Sequence, residues 1–312
     1  MTRIICGVDV SKTWLDVRIL PVEASAQFAN NAAGIADLAD YCARHKVELV
    51  VMEATGGYER LALLLLWEQG IACALANARN VRCYAEAMGI LEKTDRIDAA
   101  VIARFAAAKD LQPSTPPSPA QQRLGALVAR LSQVTGDLTV QKQRRSSARD
   151  GETVESLDEV IALLKRQSRR LEGEIASMIS DDPLWAKLDE AFRTIKGVAS
   201  RTVARLMAEM PEIGIYSNKA ISKLAGLAPL ADDSGNRSGK RSVRGGRSGV
   251  RSILFLVADI ARRYDENLAD FHRRLTAAGK PKMTVRIALA HKLLVRLNAK
   301  ARDARKQLAN AT

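Results

Sequence analysis

Histidine and cysteine are scarce in this chain and poorly placed for metal: three His and four Cys in 312 residues. Cys6, Cys42, Cys73 and Cys83 form no Cys-x-x-Cys pair, and His45, His272 and His291 add no ligand set at zinc spacing. The four cysteines read as buried, reduced thiols of a cytosolic protein. Aromatic residues are only 4% of the chain, with Ala and Leu in their place, which weighs against an all-β fold. Long hydrophobic runs are missing as well. The longest, Leu61 to Trp67, falls far short of the roughly 20 residues a membrane helix needs. The opening Met-Thr-Arg-Ile-Ile-Cys-Gly-Val-Asp has the pattern of a strand and not of a signal peptide. Membrane partners are therefore not expected, and the expected location is intracellular, the cytoplasm if the source is bacterial.

What the chain has in excess is positive charge, +13 with 48 Lys and Arg against 35 Asp and Glu. A protein this basic attracts polyanions, nucleic acid first among them. A solvated Lys/Arg surface is the plain alternative, but the charge is clustered rather than spread.

The first 110 residues alternate strand and helix. Arg3–Val10, Trp14–Leu20 and a short run near Gln27–Asn30 read as three antiparallel strands. Gly34–His45 then reads as helix, Glu48–Glu53 as a buried strand, Tyr58–Gln69 as helix, Ala72–Ala76 as strand and Asp95–Lys109 as helix. That order predicts an α/β domain of the ribonuclease-H type over 1–111. Residues 112–120, with four prolines, form a linker. Over 121–182 apolar residues recur at three and four: Leu124, Leu127, Leu131, Val134 and Leu138, then Leu157, Val160 or Ile161, Leu164, Leu171, Ile175 and Met178. They predict an antiparallel coiled-coil hairpin broken near Asp150-Gly151, each arm roughly 40 Å long at about 1.5 Å per residue. Residues 183–312 read as a mainly helical domain interrupted by one polar loop. Within it, Lys196-Gly197 sits in a segment resembling a helix-hairpin-helix element, whose Gly-centred turn offers N–H groups to phosphate. The usual second Gly is Ala199 here, and an ordinary amphipathic helix pair accounts for the pattern nearly as well.

Four carboxylates stand out. Asp9 ends the first strand, Glu53 ends the buried strand, and Asp95 and Asp98 are spaced to share a helix face. Carboxylates at the ends of apolar strands are costly to bury without a cation, and hard oxygen ligands suit Mg2+ or Mn2+. Asp95 alone also fits a helix N-cap, and Asp98 an exposed first-turn acid. The most polar stretch is 232–251, holding Arg237, Lys240, Arg241, Arg244, Arg247 and Arg251 among five glycines. Arg forks and close glycine backbone fit phosphate binding. Ser234 in this loop is a candidate nucleophile, although Ser238, Ser242 and Ser248 share the loop and composition does not choose between them.

Gly-Val-Asp-Val-Ser-Lys-x-x-Leu-Asp-Val, Glu-Ala-Thr-Gly-Gly-Tyr-Glu, Lys-Thr-Asp-Arg-Ile-Asp-Ala and the Ser-Gly block with its Arg-Gly-Gly-Arg run, in this order, resemble the DEDD serine transposases. These are insertion-sequence recombinases with a RuvC-like N-terminal domain, to which Piv-type DNA invertases are related. The resemblance implies that Asp9, Glu53, Asp95 and Asp98 bind divalent metal and that Ser234 attacks DNA and becomes linked to it. It further implies donor and target double-stranded DNA, a structured bridge RNA that guides by base pairing, and a homo-oligomer, dimer or tetramer, in which one subunit's carboxylates meet another's serine. Three other readings fit the same residues: a RuvC-like nuclease of the junction-resolvase type that uses water, with Ser234 as a phosphate clamp, a Piv-type DNA invertase without guide RNA, and a non-catalytic nucleic-acid scaffold.

Overall fold

In the computed structural model the chain is described over residues 3–54, 56–90, 92, 95–231, 233–234, 239 and 241–310, with the side chains of Asp95 and Arg96 outside the description. It divides into two compact units, Met1–Pro117 and Ser118–Thr312.

The first unit is built on strands β1 (Ile5–Val10), β2 (Trp14–Leu20), β3 (Ala24–Ala29), β4 (Leu49–Glu53) and β5 (Cys73–Ala76). They form one sheet in the order β3-β2-β1-β4-β5. The first three are antiparallel, and β1, β4 and β5 run parallel. This mixed order is that of the ribonuclease-H fold expected from the sequence. β2 alternates buried Leu15, Val17 and Ile19 with half-buried Asp16, Arg18 and Leu20, the period-2 pattern of a strand with two differently covered faces. β4 is buried at Leu49, Val50, Val51 and Met52, as a parallel strand covered on both faces should be. One face carries α1 (Ala32–Arg44) and α2 (Glu59–Glu68) over a core of Val8, Leu15, Val17, Ile35, Leu38 and Leu66. The other carries α3 (Ala78–Ala87) and α4 (Asp95–Lys109), with Ile5, Val51, Val101, Ile102 and Ala106 at its centre.

Two details differ from the pattern reading. β3 starts three residues before Gln27, because pairing with β2 extends from Trp14↔Ala29 to Ile19↔Ala24 and recruits weak strand formers. Helix α3 falls in a stretch the hydrophobic pattern leaves unassigned. Asn77 caps it, accepting from the Asn80 N–H, and only Val81 and Ala85 are buried.

The second unit opens with α5 (Pro119–Ser147) and α6 (Gly151–Asp181), which fold back on one another. Ser118 caps α5 and Pro119 occupies its first turn, so the proline-rich stretch ends by starting a helix. The turn at 148–150 is made by capping and not by Gly151, which is the first residue of α6. Asp150 accepts from the Thr153 N–H. Leu124, Val128, Leu131 and Val134 pack with Leu171, Ile175 and Ile179, Ile161 is buried rather than Val160, and Arg145 bonds Asp158 at 2.9 Å near the turn. The remaining helices are α7 (Pro183–Arg193), α8 (Ser200–Glu209), α9 (Asn218–Leu224), α10 (Ser248–Ala261), α11 (Glu266–Ala277) and α12 (Lys282–Ala309). Phe192, Leu206, Ile221, Leu254, Leu289, Leu293 and Leu297 join them in one core. Among the described residues no helix is long and apolar enough to cross a membrane.

Candidate active site and nucleic-acid interface

Register places the acidic residues of the first unit. β1 and β4 pair in parallel from Ile5↔Leu49 to Val8↔Met52. Asp9 and Glu53 are therefore the next residues along, side by side where the two strands end, at a strand spacing of about 4.8 Å. Both are half-buried. Their shared face is fixed by Gly7, two residues before Asp9. A methyl group on Gly7 would lie 2.1 Å from the Ala99 carbonyl oxygen and 2.7 Å from the Ala103 N. Helix α4 thus lies directly on β1, and Asp9 points to the same side.

The direction of α4 follows from three contacts. Arg3 donates to the carbonyl of Leu111 at 2.9 Å, Gly7 meets Ala99 and Ala103, and the helix begins at Asp95. Strand and helix therefore run in opposite senses, and Asp9 comes level with the first turn of α4, which holds the half-buried Asp98. The Asp95 side chain lies outside the described residues. Among the described residues, no three His, Cys, Asp or Glu side chains converge on a common point where they would hold a metal. The donor chemistry nevertheless fits a hard divalent cation, since carboxylate oxygens are the ligands such a cation takes.

Three of the cysteines are placed for packing, whereas Cys83, expected to be buried like the others, is exposed on α3. All four are free thiols, and Cys6, Cys42 and Cys73 are buried. A hydrogen bond to Cys42 and burial push the Cys6 thiol up, and burial together with Cys42 pushes Cys73 up to about 12. Buried and raised in this way, Cys6 and Cys73 are inert thiols.

In the second unit Ser234 is exposed on a loop closed by an antiparallel bridge, Leu230↔Ser242, with the Leu230 N–H donating to the Ser242 carbonyl at 2.9 Å. Asp233 accepts the Gly239 N–H at 3.1 Å and pairs with Arg241 at 3.6 Å. Arg241 and Arg244 are exposed, whereas Arg237 and Lys240 lie outside the described residues. Arg247 and Arg251 are engaged within the protein. Arg247 forks onto both Glu212 oxygens at 2.6 Å and donates to the Glu209 carbonyl at 2.8 Å; Arg251 donates to the Gly245 carbonyl at 2.7 Å. Burial raises Glu212, but its bonds to Arg247 and the backbone outweigh that and leave it below the ordinary glutamate value. The sequence offers no signal separating these two arginines from their neighbours.

The glycines at the base of the loop also serve packing. Gly246 has φ +65° and a side chain there would sit 2.3 Å from the Gly226 N, while one on Gly226 would meet the Gly245 carbonyl at 2.2 Å. Between α7 and α8, Lys196 is exposed and Gly197 turns at φ +94°. Gly197 backs onto Ala261 of α10, 2.9 Å from where a Cβ would stand, so packing alone accounts for the glycine.

A ribonuclease-H-type sheet with acidic strand ends, in a chain that also carries an Arg/Gly-rich loop, fits a protein that acts on nucleic acid. The DEDD transposase model of IS110 matches residues 6–151 and the model of the IS116/IS110/IS902 transposase family matches residues 189–273. The chain thus carries both IS110-family transposase domains, in order. It is also similar to the pilin gene-inverting proteins of Moraxella lacunata and Moraxella bovis, each 27% identical over 306 residues that cover 94% of both chains. The Thermus thermophilus RuvC structure aligns with 35% of this chain and 98% of its own, at 15% identity and a TM-score of 0.27. The strand order carries the fold assignment without it.

Proposed function

We propose that this DNA transposase cleaves and rejoins DNA through a phosphoserine intermediate at Ser234, with a divalent metal held by Asp9, Glu53, Asp95 and Asp98. The observation that carries the reading is the pairing of Asp9 with Glu53 at neighbouring strand ends, level with the first turn of α4. Mg2+ or Mn2+ bound there would withdraw charge from the reacting phosphate. The Ser234 hydroxyl loses its proton to a base as Oγ bonds phosphorus, and a DNA hydroxyl leaves with a proton. Attack by a new DNA hydroxyl reverses the exchange and frees the serine, so the number of phosphoester bonds is conserved. The exposed Arg241 and Arg244, with Arg237 and Lys240 from the same loop and Lys196-Gly197 at the α7–α8 turn, bind DNA or RNA phosphate in this scheme. Arg247 and Arg251 hold the loop that presents the serine.

A structured bridge RNA as guide, and a homo-oligomer in which carboxylates and serine of different subunits meet, complete the proposal. A bacterial cytoplasm supplies the DNA, RNA and Mg2+ it requires. Residues 121–182 act as a spacing or oligomerisation arm, and 183–312 as the domain that carries the serine.

The test is a denaturing gel of protein incubated with Mg2+, element-end DNA and RNA encoded beside the element. A covalent protein–DNA species that needs the RNA and disappears in Ser234→Ala is the expected result. Cleavage without an adduct, surviving that substitution, assigns the nuclease reading and leaves Ser234 as a phosphate clamp.

A further inference from the structure

The sheet register extends the acidic row further than the two strand ends. β1 and β2 pair Gly7 with Arg18 and Asp9 with Asp16, and β2 and β3 pair Asp16 with Gln27. Residues opposite one another across a sheet share a face, so Gln27, Asp16, Asp9 and Glu53 form one transverse line over four adjacent strands. Gly7 fixes that face as the one under α4. Neighbours in such a line have Cβ atoms about 5 Å apart. Asp16 is therefore to Asp9 on one side what Glu53 is on the other.

Asp16 is half-buried, and its orientation is set. The Gln27 side-chain amide donates to Asp16 Oδ1 at 2.9 Å, bracing the carboxylate from the outer strand. Two carboxylates directly opposite in an antiparallel pair destabilise a sheet. A cation beside Asp9 would be attracted by both carboxylates of the pair. Asp16 is not one of the four carboxylates proposed as ligands, and it stands on the far side of Asp9 from Glu53.

We propose that Asp16, braced by Gln27, is a positioning residue of the metal site: it supplies a third strand-borne negative charge beside Asp9 and strengthens divalent-cation binding. Groups that flank a ligand set typically change metal affinity by about 10–100-fold when removed. The inference rests on the proposed function of Asp9 as a ligand, and the experiment separates the two. Mn2+ and Mg2+ titrations by calorimetry on the full-length protein without nucleic acid compare the parent with Asp9→Asn, Asp16→Asn and Gln27→Ala. Thermal unfolding of each is followed with and without the cation.

Asp9→Asn should abolish binding. Asp16→Asn should weaken it by about tenfold, and Gln27→Ala by less. The cation should raise the melting temperature of Asp16→Asn by less than it raises the parent's. If Asp9→Asn retains full binding, the metal reading of Asp9 fails. If Asp9→Asn abolishes binding but Asp16→Asn stays within twofold of the parent, or if Asp16→Asn loses stability equally with and without cation, the role of Asp16 is structural and the inference is overturned.

Discussion

In the first unit the candidates Asp9, Asp16 and Glu53 stand on hydrogen-bonded strands at adjacent register positions, whereas in the second Ser234 rides an exposed loop closed at its base by the Leu230–Ser242 bridge. On the sheet, position follows from pairing: once β1 and β4 are in register, the two strand-end carboxylates have one relative placement, and α4 seated on Gly7 fixes what lies above them. On the loop, position is imposed from outside, by Gly226 against Gly245-Gly246 and by Arg247 reaching Glu209 and Glu212. A sheet places its side chains through backbone geometry that tolerates little variation. The basic loop uses Arg247 and Arg251 to hold itself in place and leaves Arg241 and Arg244 exposed.

The sharpest way to break the sheet side of this contrast is Gly7→Ala. The added methyl meets backbone atoms of α4 rather than a yielding side chain, so the helix must lift off β1. A loss of about 3 kcal/mol in urea unfolding is expected. Metal affinity should fall with it, because Asp9 and the first turn of α4 move apart. Unchanged stability would mean that α4 does not rest on Gly7.

On the loop side, Arg247→Ala strands the half-buried Glu212 and should cost about 1–2 kcal/mol, discounted for the solvent that reaches the pair. The pH dependence has a definite sign. Because Glu212 lies below its ordinary value of 4.5 in the folded protein, its contribution is present above that value and fades as pH falls through the folded pKa. Urea unfolding at pH 7 and pH 4 should therefore show a smaller acid loss in Arg247→Ala than in the parent. An equal acid loss in both would detach Glu212 from Arg247.

The smallest effect distinguishes holding from binding within one loop. Arg244→Ala should reduce the salt dependence of nucleic-acid affinity by about one unit of slope, as one lost phosphate contact would. Arg247→Ala should leave the slope unchanged. Equal slopes for the two variants would erase the division of labour between them.

Much of the fold was legible in the residues. The β-branched run before Glu53, the alternation of β2 and the three-four spacing of α5 and α6 are local patterns whose periods match strand and helix. What local pattern missed had long-range causes. β3 takes its limits from β2 rather than from its own Ala-Ser-Ala-Gln sequence, and α3 is too sparsely apolar to announce itself. The site was legible as a list of residues and illegible as an arrangement. Asp9 and Glu53 were conspicuous because each ends an apolar run, but Asp16 sits mid-strand in a polar-out alternation and looks like any solvent-facing residue until pairing sets it opposite Asp9. Likewise Arg244 and Arg247 are indistinguishable in composition, and Gly246 reads as flexible when it is in fact packed against Gly226.

By itself, then, the sequence determined the order of the elements, the basic character of the chain, and which strand ends would be acidic, since all of these are set by composition and by periods of two and 3.6 residues. Tertiary structure alone decided that Gln27, Asp16, Asp9 and Glu53 form one line, that α4 begins beside it, and that Arg247 is already occupied. Each of those depends on which distant backbones meet and at what offset, a choice made by strand register and by the absence of a side chain at Gly7 and Gly246, and not by any local preference of the residues themselves.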